Sequence, residues 1–297
     1  MKTSDTSIGR ATLLIVISAI SFGSISVLTV LITSAGVPLL TTMAWRYVLA
    51  AALLSAVTQV RGIRSIPTRR IVQLLLIGGC GQALITYVSL RALDFIPVGP
   101  LAFLFYTYPA WVALLAAIRK TERLTPIRIF ALVLALMGVT IMVGMPTEKL
   151  NPIGVFLAIA SALLYSAYLP ALEHVQEGVP PLLATFLLIA GAAISFVLAA
   201  LITGELFLPV EGAAWANIFL LAFVSTVIAF STLIMGLSVL GPVRTSIIAT
   251  VEPFFTSLLG VIVLHNQFSV STLAGGVLIA TAILVIEWSS TRVTITA

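Results

Sequence analysis

The chain has 297 residues, 60% of them hydrophobic and only 8% charged, with a mean hydropathy of +1.21. A soluble domain needs about 25% charged residues to keep its surface wet, so a water-soluble globular protein is excluded and the solvent of this chain is largely lipid. The net charge of +5 does not point to nucleic acid, because the cations sit in short gaps between apolar runs. The single cysteine, Cys80, lies inside such a run. It leaves no disulfide and no cysteine-based metal site, and reads as a small buried hydrophobe.

A crossing helix needs about 20 apolar residues to span roughly 30 Å of hydrocarbon. Ten runs qualify: 11–32, 40–59, 71–91, 97–118, 127–144, 153–171, 182–202, 214–238, 243–264 and 270–287. The first is longer than the h-region of a signal peptide and no A-x-A cleavage pattern follows it, so it reads as a transmembrane helix. The gaps carry turn chemistry: Gly36-Val37-Pro38, Pro97-Val98-Gly99-Pro100, Met145-Pro146, Asn151-Pro152, Gly178-Val179-Pro180-Pro181 and Gly241-Pro242. Proline is tolerated at a helix start because the N–H it lacks has no partner there.

Lys and Arg set the orientation. With the N-terminus inside, the inner ends carry 12 cations (Lys2, Arg10, Arg61, Arg64, Arg69, Arg70, Arg119, Lys120, Arg123, Arg128, Arg244, Arg292) and the outer side carries two, Arg91 and Lys149. Both termini are therefore expected in the cytoplasm. Asp94, Glu148, Glu205 and Glu211 fall outside.

Pro109 and Pro253 are 144 positions apart, each in an apolar run. At that shift Leu258-Leu259-Gly260 falls on Leu114-Leu115-Ala116, and Gly275 on Ala131. Five runs thus occur twice, as repeats over 1–146 and 147–297. Five is odd, so the second copy enters the membrane from the opposite side. The charges agree: the loop at 119–128 holds four cations and its counterpart at 263–272 holds none. Inverted repeats with a mid-membrane site are a mark of secondary transporters.

The ten-span layout, Ala44-Trp45-Arg46-Tyr47, Tyr108-Pro109, Thr121-Glu122-Arg123-Leu124-Thr125 and Glu252-Pro253 resemble the EamA-type branch of the drug/metabolite transporter superfamily, and within it YddG-type amino-acid exporters. Where that pattern tends to repeat Gly-Glu after the ninth span, this chain has His265-Asn266. The resemblance implies an all-α integral membrane protein of the bacterial inner membrane. It further implies a small-molecule substrate, an amino acid moved outward, and no cofactor.

Pro253 cannot donate to the carbonyl of Ala249, nor Pro109 to that of Phe105. Each break exposes a carbonyl that protein or water must satisfy. Both prolines therefore read as helix breaks or hinges, with a plain packing kink as the alternative for Pro109. Glu252 is the most informative residue. A carboxylate in the membrane costs about 2.5–3.5 kcal/mol or more, so it finds a partner or stays protonated. It is either a proton-coupling or amine-binding group, or a protonated carboxyl bonded to the carbonyls that Pro253 frees. Tyr87, Tyr106, Tyr108, Tyr165, Tyr168 and Phe230 lie at similar depth, with Ser24, Gln82, Ser225, Ser246 and Thr250. Rings with polar tips suit an amphipathic solute, so these residues form the expected substrate site. Phosphates would call for several central cations, whereas Arg46 and Arg244 read as snorkelling to the interface. Small-xxx-small pairs at Ala131/Ala135 and Gly276/Ala280 are expected at a helix interface, within a monomer or between protomers of a homodimer. An intramembrane enzyme would need a nucleophile and base beside Glu252, and none is evident. A channel would need a continuous polar stripe.

Overall fold

The computed structural model describes residues 2–58, 63–64, 66–92, 94–96, 98–122, 124–143, 150–208, 212–265 and 269–293. The repeat junction at 146–147, the Met145-Pro146 turn, Arg61, Pro97, Arg123, Glu148, Lys149, Glu211 and Asn266-Gln267-Phe268 lie outside them. The chain is all-helical among the described residues: α1 (Lys2–Ser34), α2 (Leu39–Val57), α3 (Thr68–Leu76), a first π-turn (Ile77–Gln82), α4 (Ala83–Ala92), α5 (Val98–Phe105), α6 (Tyr108–Arg119), α7 (Pro126–Val143), α8 (Pro152–Gln176), α9 (Pro181–Ile202), α10 (Gly212–Ala222), a second π-turn (Phe223–Ile228), α11 (Ala229–Ala249), α12 (Glu252–Leu264) and α13 (Val270–Val293). Nine helical stretches among the described residues are long and apolar enough to cross a membrane, and a tenth apolar helix, Glu252–Val263, is shorter.

The helices start where the turn residues predict. Pro38 precedes α2, Pro152 and Pro181 open α8 and α9, and the Asn151 side chain accepts from Ile153 N at 2.9 Å. The run from Gly212 to Ala249 covers 38 residues, which at 1.5 Å per residue would overshoot a bilayer. It does not run straight: Gly241 sits at φ 74°, ψ 171°, a conformation open essentially to glycine alone. The expected ninth span is therefore divided, its first part continuing from α11 beyond Gly241 and the rest forming α12.

Each repeat lends its first helix to the other. α1 packs along α11 and α12, while α8 packs along α4, α5 and α6. α2 lies on α9, and α7 on α13. Glycines let these backbones meet. A Cβ on Gly138 would sit 2.7 Å from Gly275 O, and one on Gly275 would sit 2.4 Å from Gly138 O. This corrects the expected small-residue pair in the last helix: Gly275 and Ile279 face α7, Gly276 lies under the Phe254 ring, and Ala280 is exposed. On α7, Ala131 and Ala135 are buried as expected.

The two π-turns were not anticipated. Gly78-Gly79-Cys80-Gly81 reads as packing glycine and is part of the first one. Its Gly78 and Gly79 are buried against α9 around Leu188 and Gly191, but Cys80 is exposed. The buried-hydrophobe reading of Cys80 is thus wrong. In a bundle whose solvent is lipid, an apolar run does not tell inside from outside.

Candidate functional site

Two helices break at matching places. α5 ends at Phe105 and α11 at Ala249, the residues whose carbonyls Pro109 and Pro253 cannot serve. α6 and α12 then start at Tyr108 and Glu252, with each proline in the first turn. The linking residues match too: Thr107 has φ −74°, ψ −13°, and Val251 has φ −72°, ψ −18°. Both new helices end on a left-handed residue without being glycine, Lys120 at φ 53° and His265 at φ 56°. α6 has 12 residues and α12 has 13, about 18 and 20 Å of helix, so each break lies deep within the bundle. Helix N-termini carry partial positive charge and unsatisfied N–H groups. Glu252 places a carboxyl on one of them; Tyr108 occupies the same place on the other.

Around these breaks the rings form one chain of contacts. The Tyr106 hydroxyl lies beside the Glu252 carboxyl. Tyr106 and Tyr108 lie 6.3 Å apart between centroids, Tyr108 meets Tyr165 edge-on at 4.8 Å, and Tyr165 stacks on Tyr168 at 5.8 Å. Tyr108 Oη reaches Ser246 O at 3.5 Å. Tyr108 and Tyr168 are buried, whereas Glu252 and Tyr165 are half-buried. The hydroxyl of Tyr168, that of Tyr47 and Gln82 Oε1 are buried without a partner. Gln82 Nε2 donates to Thr86 Oγ1 at 3.2 Å, and its neighbour Gly81 lies under the Tyr168 ring.

A second polar cluster joins α1, α2 and the second π-turn. Ser24 and Ser225 hydroxyls lie 2.6 Å apart, and Ser18 Oγ donates to Ala229 O at 2.8 Å. Arg46 is only 2% exposed. Its Nε donates to Thr226 Oγ1 at 2.7 Å and its Nη2 to Ser225 O at 3.0 Å, and its guanidinium lies 5.0 Å from the centre of the Tyr47 ring. The snorkelling reading of Arg46 is therefore corrected. A π-turn leaves carbonyls without helical partners, and the Arg46 fork supplies a donor deep in the protein. Thr226 Oγ1 in turn donates to Leu221 O at 3.0 Å. The ion pairs among the described residues include Arg91–Asp94, Arg128–Glu122 and His174–Glu177; Arg46 and Glu252 take part in none of these.

The two clusters adjoin through α1. A Cβ on Gly23 would lie 3.1 Å from Glu252 O and 3.2 Å from Thr256 Oγ1, so the residue beside Ser24 passes against the first turn of α12. Of the expected site residues, Tyr106, Tyr108, Tyr165, Tyr168, Ser246 and Glu252 come together at the breaks. Ser24 and Ser225 join the Arg46 cluster, and Phe230 packs on Phe22 at 5.0 Å. Thr250 is buried and turns its hydroxyl back to Ile247 O. Tyr87 lies apart from all of them. It is 49% exposed in an apolar crevice of about 350 Å³ with Cys80, Leu84 and Phe196. Sequence reasoning missed Tyr47, whose ring stacks on Phe196 at 5.3 Å; its place beside an intramembrane arginine was the available signal. It also missed Gly23, which no local pattern marks.

The other arginine in question, Arg244, has a buried Nε with no partner and lies near Arg128, Glu122 and Glu287 at the basic end of the bundle. There Glu122 accepts from Arg128 Nη1 at 2.9 Å and from Val243 N at 3.4 Å, so one carboxylate caps the helix that leaves Gly241.

Breaks deep in the bundle, a buried polar interior and a mostly apolar outer surface define a multi-pass membrane protein made of two repeats. The EamA-like transporter family matches residues 9–144 and again 152–288. The chain belongs to this family, and its class is that of membrane transporters of the drug/metabolite superfamily. A solved crystal structure is similar at a TM-score of 0.77 and 22% identity, over 96% of this chain and 99% of that one, a likeness of fold alone. No curated protein matches the chain.

Proposed function

We propose that this protein exports neutral or aromatic amino acids across the bacterial inner membrane by alternating access. The two repeats, over 1–146 and 147–297, run in opposite senses in this reading, with both termini cytoplasmic and ten crossings. The observation that carries the substrate class is an arginine and a glutamate in one interior: Arg46 and Glu252, neither of which joins the ion pairs described above, with tyrosines around the acid. A zwitterion brings a carboxylate for the first and an ammonium for the second, and its side chain meets rings. Desolvated charge in a membrane is expensive, so a solute that neutralises both is favoured over one that neutralises neither. Glu252 either holds the substrate amine or carries a proton across. The protein works as a monomer or homodimer.

The test is counterflow and efflux in proteoliposomes, screening amino acids with and without a pH gradient. Movement of phenylalanine-like or other neutral amino acids supports the reading. Movement only of organic cations or carboxylates lacking the second charge overturns it in favour of another metabolite or drug.

A further inference from the structure

The apolar crevice that holds Tyr87 belongs to none of the clusters at the helix breaks. Its volume of about 350 Å³ lies at the lower end of small-molecule pockets, about 300–1,000 Å³. Small residues keep it open: Gly79 and Ala83 on one wall and Ala199 of α9 on the other, with Leu40, Phe196 and Tyr87 around them. It lies toward one end of the bundle. Leu40 is in the first turn of α2 and Ala199 in the last turn of α9. α4 runs alongside α9 in the same sense, since Gly78 meets Leu188 and Tyr87 shares the crevice with Ala199. Leu84, Tyr87 and Arg91 fall on one face of α4, and all three are exposed. Arg91 is about 6 Å beyond Tyr87 and about 10 Å beyond Leu84 along the axis. It pairs through Nη1 with Asp94, and the two side chains are 54% and 49% exposed. Followed outward, this face reads apolar crevice, then phenol, then a pair of opposite charges. That is the order of hydrocarbon, interface and headgroup in a leaflet.

We propose that the crevice is a lipid site, holding one acyl chain of a phosphatidylethanolamine whose headgroup sits on Arg91 and Asp94. A hollow in a face bathed by hydrocarbon is either filled by hydrocarbon or left void, and a void forfeits the dispersion contacts of its walls. Water does not settle in an apolar lining that gives it few polar partners. A helix of a second copy is about 10 Å across and would bridge the crevice without filling it, whereas a single alkyl chain is thin enough to enter. The charges select the headgroup. The rest of the Arg91 fork takes the phosphate, and Asp94 accepts from the primary ammonium. The Tyr87 hydroxyl, which has no partner among the described residues, donates to an ester oxygen below them. Phosphatidylglycerol brings no cation for Asp94. Phosphatidylcholine brings one without an N–H. The leaflet is the outer one in the orientation proposed above, and the inference does not require the amino-acid reading.

Native mass spectrometry of the full chain tests it, with protein released from nanodiscs that hold equal parts of dioleoyl phosphatidylethanolamine, phosphatidylcholine and phosphatidylglycerol. The expected result is one retained lipid per chain, with phosphatidylethanolamine favoured about threefold or more over each of the others. A83F and A199F, which fill the crevice from opposite walls, should cut retention at least fivefold. L198F should not, because Leu198 is exposed on α9 but does not line the crevice. D94N should erase the preference over phosphatidylcholine, and R91Q should weaken retention of all three lipids. Monodisperse elution shows that the fold is kept, and the two exposed charge variants decide the matter should both phenylalanine variants aggregate. Equal retention in wild type, A83F and L198F overturns the inference, since the lipid is then ordinary annulus. So does retention without headgroup preference in the wild type. A dimer that A83F splits while lipid retention stays unchanged also overturns it, giving the crevice to a second copy. A failed amino-acid transport screen, by contrast, leaves this binding result standing.

Discussion

The two π-turns stand at corresponding places in the two repeats and are closed by opposite means. Against residues 77–82, α9 brings Gly191, whose missing side chain lets the backbones touch: a Cβ there would lie 2.1 Å from Leu75 O and 2.9 Å from Gly79 N. Against residues 223–228, α2 brings Arg46, whose long side chain fills the gap with hydrogen bonds to Thr226 Oγ1 and Ser225 O. One repeat solves the loss of helical bonding by close packing, the other by a buried charge. The helix breaks differ in the same way. Tyr108 begins α6 and Glu252 begins α12, so the acid and the arginine each occur once where the architecture occurs twice. Duplication supplies the scaffold, and polar chemistry is added to one side of each pair.

Changes at the packed side should have the largest effect. Gly191→Leu drives a side chain into the backbone of α3 and the first π-turn. Overpacking usually costs about 1–3 kcal/mol and more when nothing can yield, so the variant should express poorly and elute as aggregate. A monodisperse, transport-competent G191L would mean that the packed contact is not what holds this turn. Arg46→Met should come next. Hydrogen bonds to a charged donor are worth about 1.5–3 kcal/mol each, so the melting temperature should fall by several degrees and transport by tenfold or more. Arg46→Lys should rescue little, since one ammonium cannot reproduce the fork that meets Ser225 and Thr226; full rescue would reduce Arg46 to a simple positive charge.

Glu252→Gln keeps shape and removes charge. Transport should drop about tenfold with little loss of thermal stability, and whatever pH dependence the wild type shows should flatten. Unchanged rate and unchanged pH profile in proteoliposomes would return Glu252 to a purely structural role. The smallest effect belongs to Tyr106→Phe, which deletes the hydroxyl that meets Glu252. A single hydrogen bond is worth about 1 kcal/mol, so a two- to fivefold fall in rate is expected, and none of it in the E252Q background if the two groups act together.

Much of this frame is legible from the chain. Pro109 and Pro253 announce the breaks because a missing N–H is a covalent fact, and α5 and α11 end at the carbonyls it strands. Composition settles the lipid environment. What escapes is what depends on distant partners. Arg46 reads as interfacial until Ser225 and Thr226, some 180 positions away, are seen to face it. Tyr87 and Tyr108 are alike as letters, yet one is at the surface and the other is buried. The periodicity that would separate them is blurred where every face is apolar. Cys80 is misread for the same reason. The stretch Phe223–Ile228 carries no local mark of a π-turn at all.

The exchange of first helices between repeats also bears on how the protein is made. Ser18 must wait for Ala229 and Ser24 for Ser225, partners 211 and 201 positions later. At about 5–20 residues per second of synthesis, α1 sits in the bilayer for roughly 10–40 s before α11 exists to receive its hydroxyls. During that interval these serines can only turn back on their own helix, as Ser24 still does toward Ser21 O at 2.6 Å. The earliest helix to be inserted is thus among the last to be locked, and the nascent chain passes much of its birth as an open half-bundle.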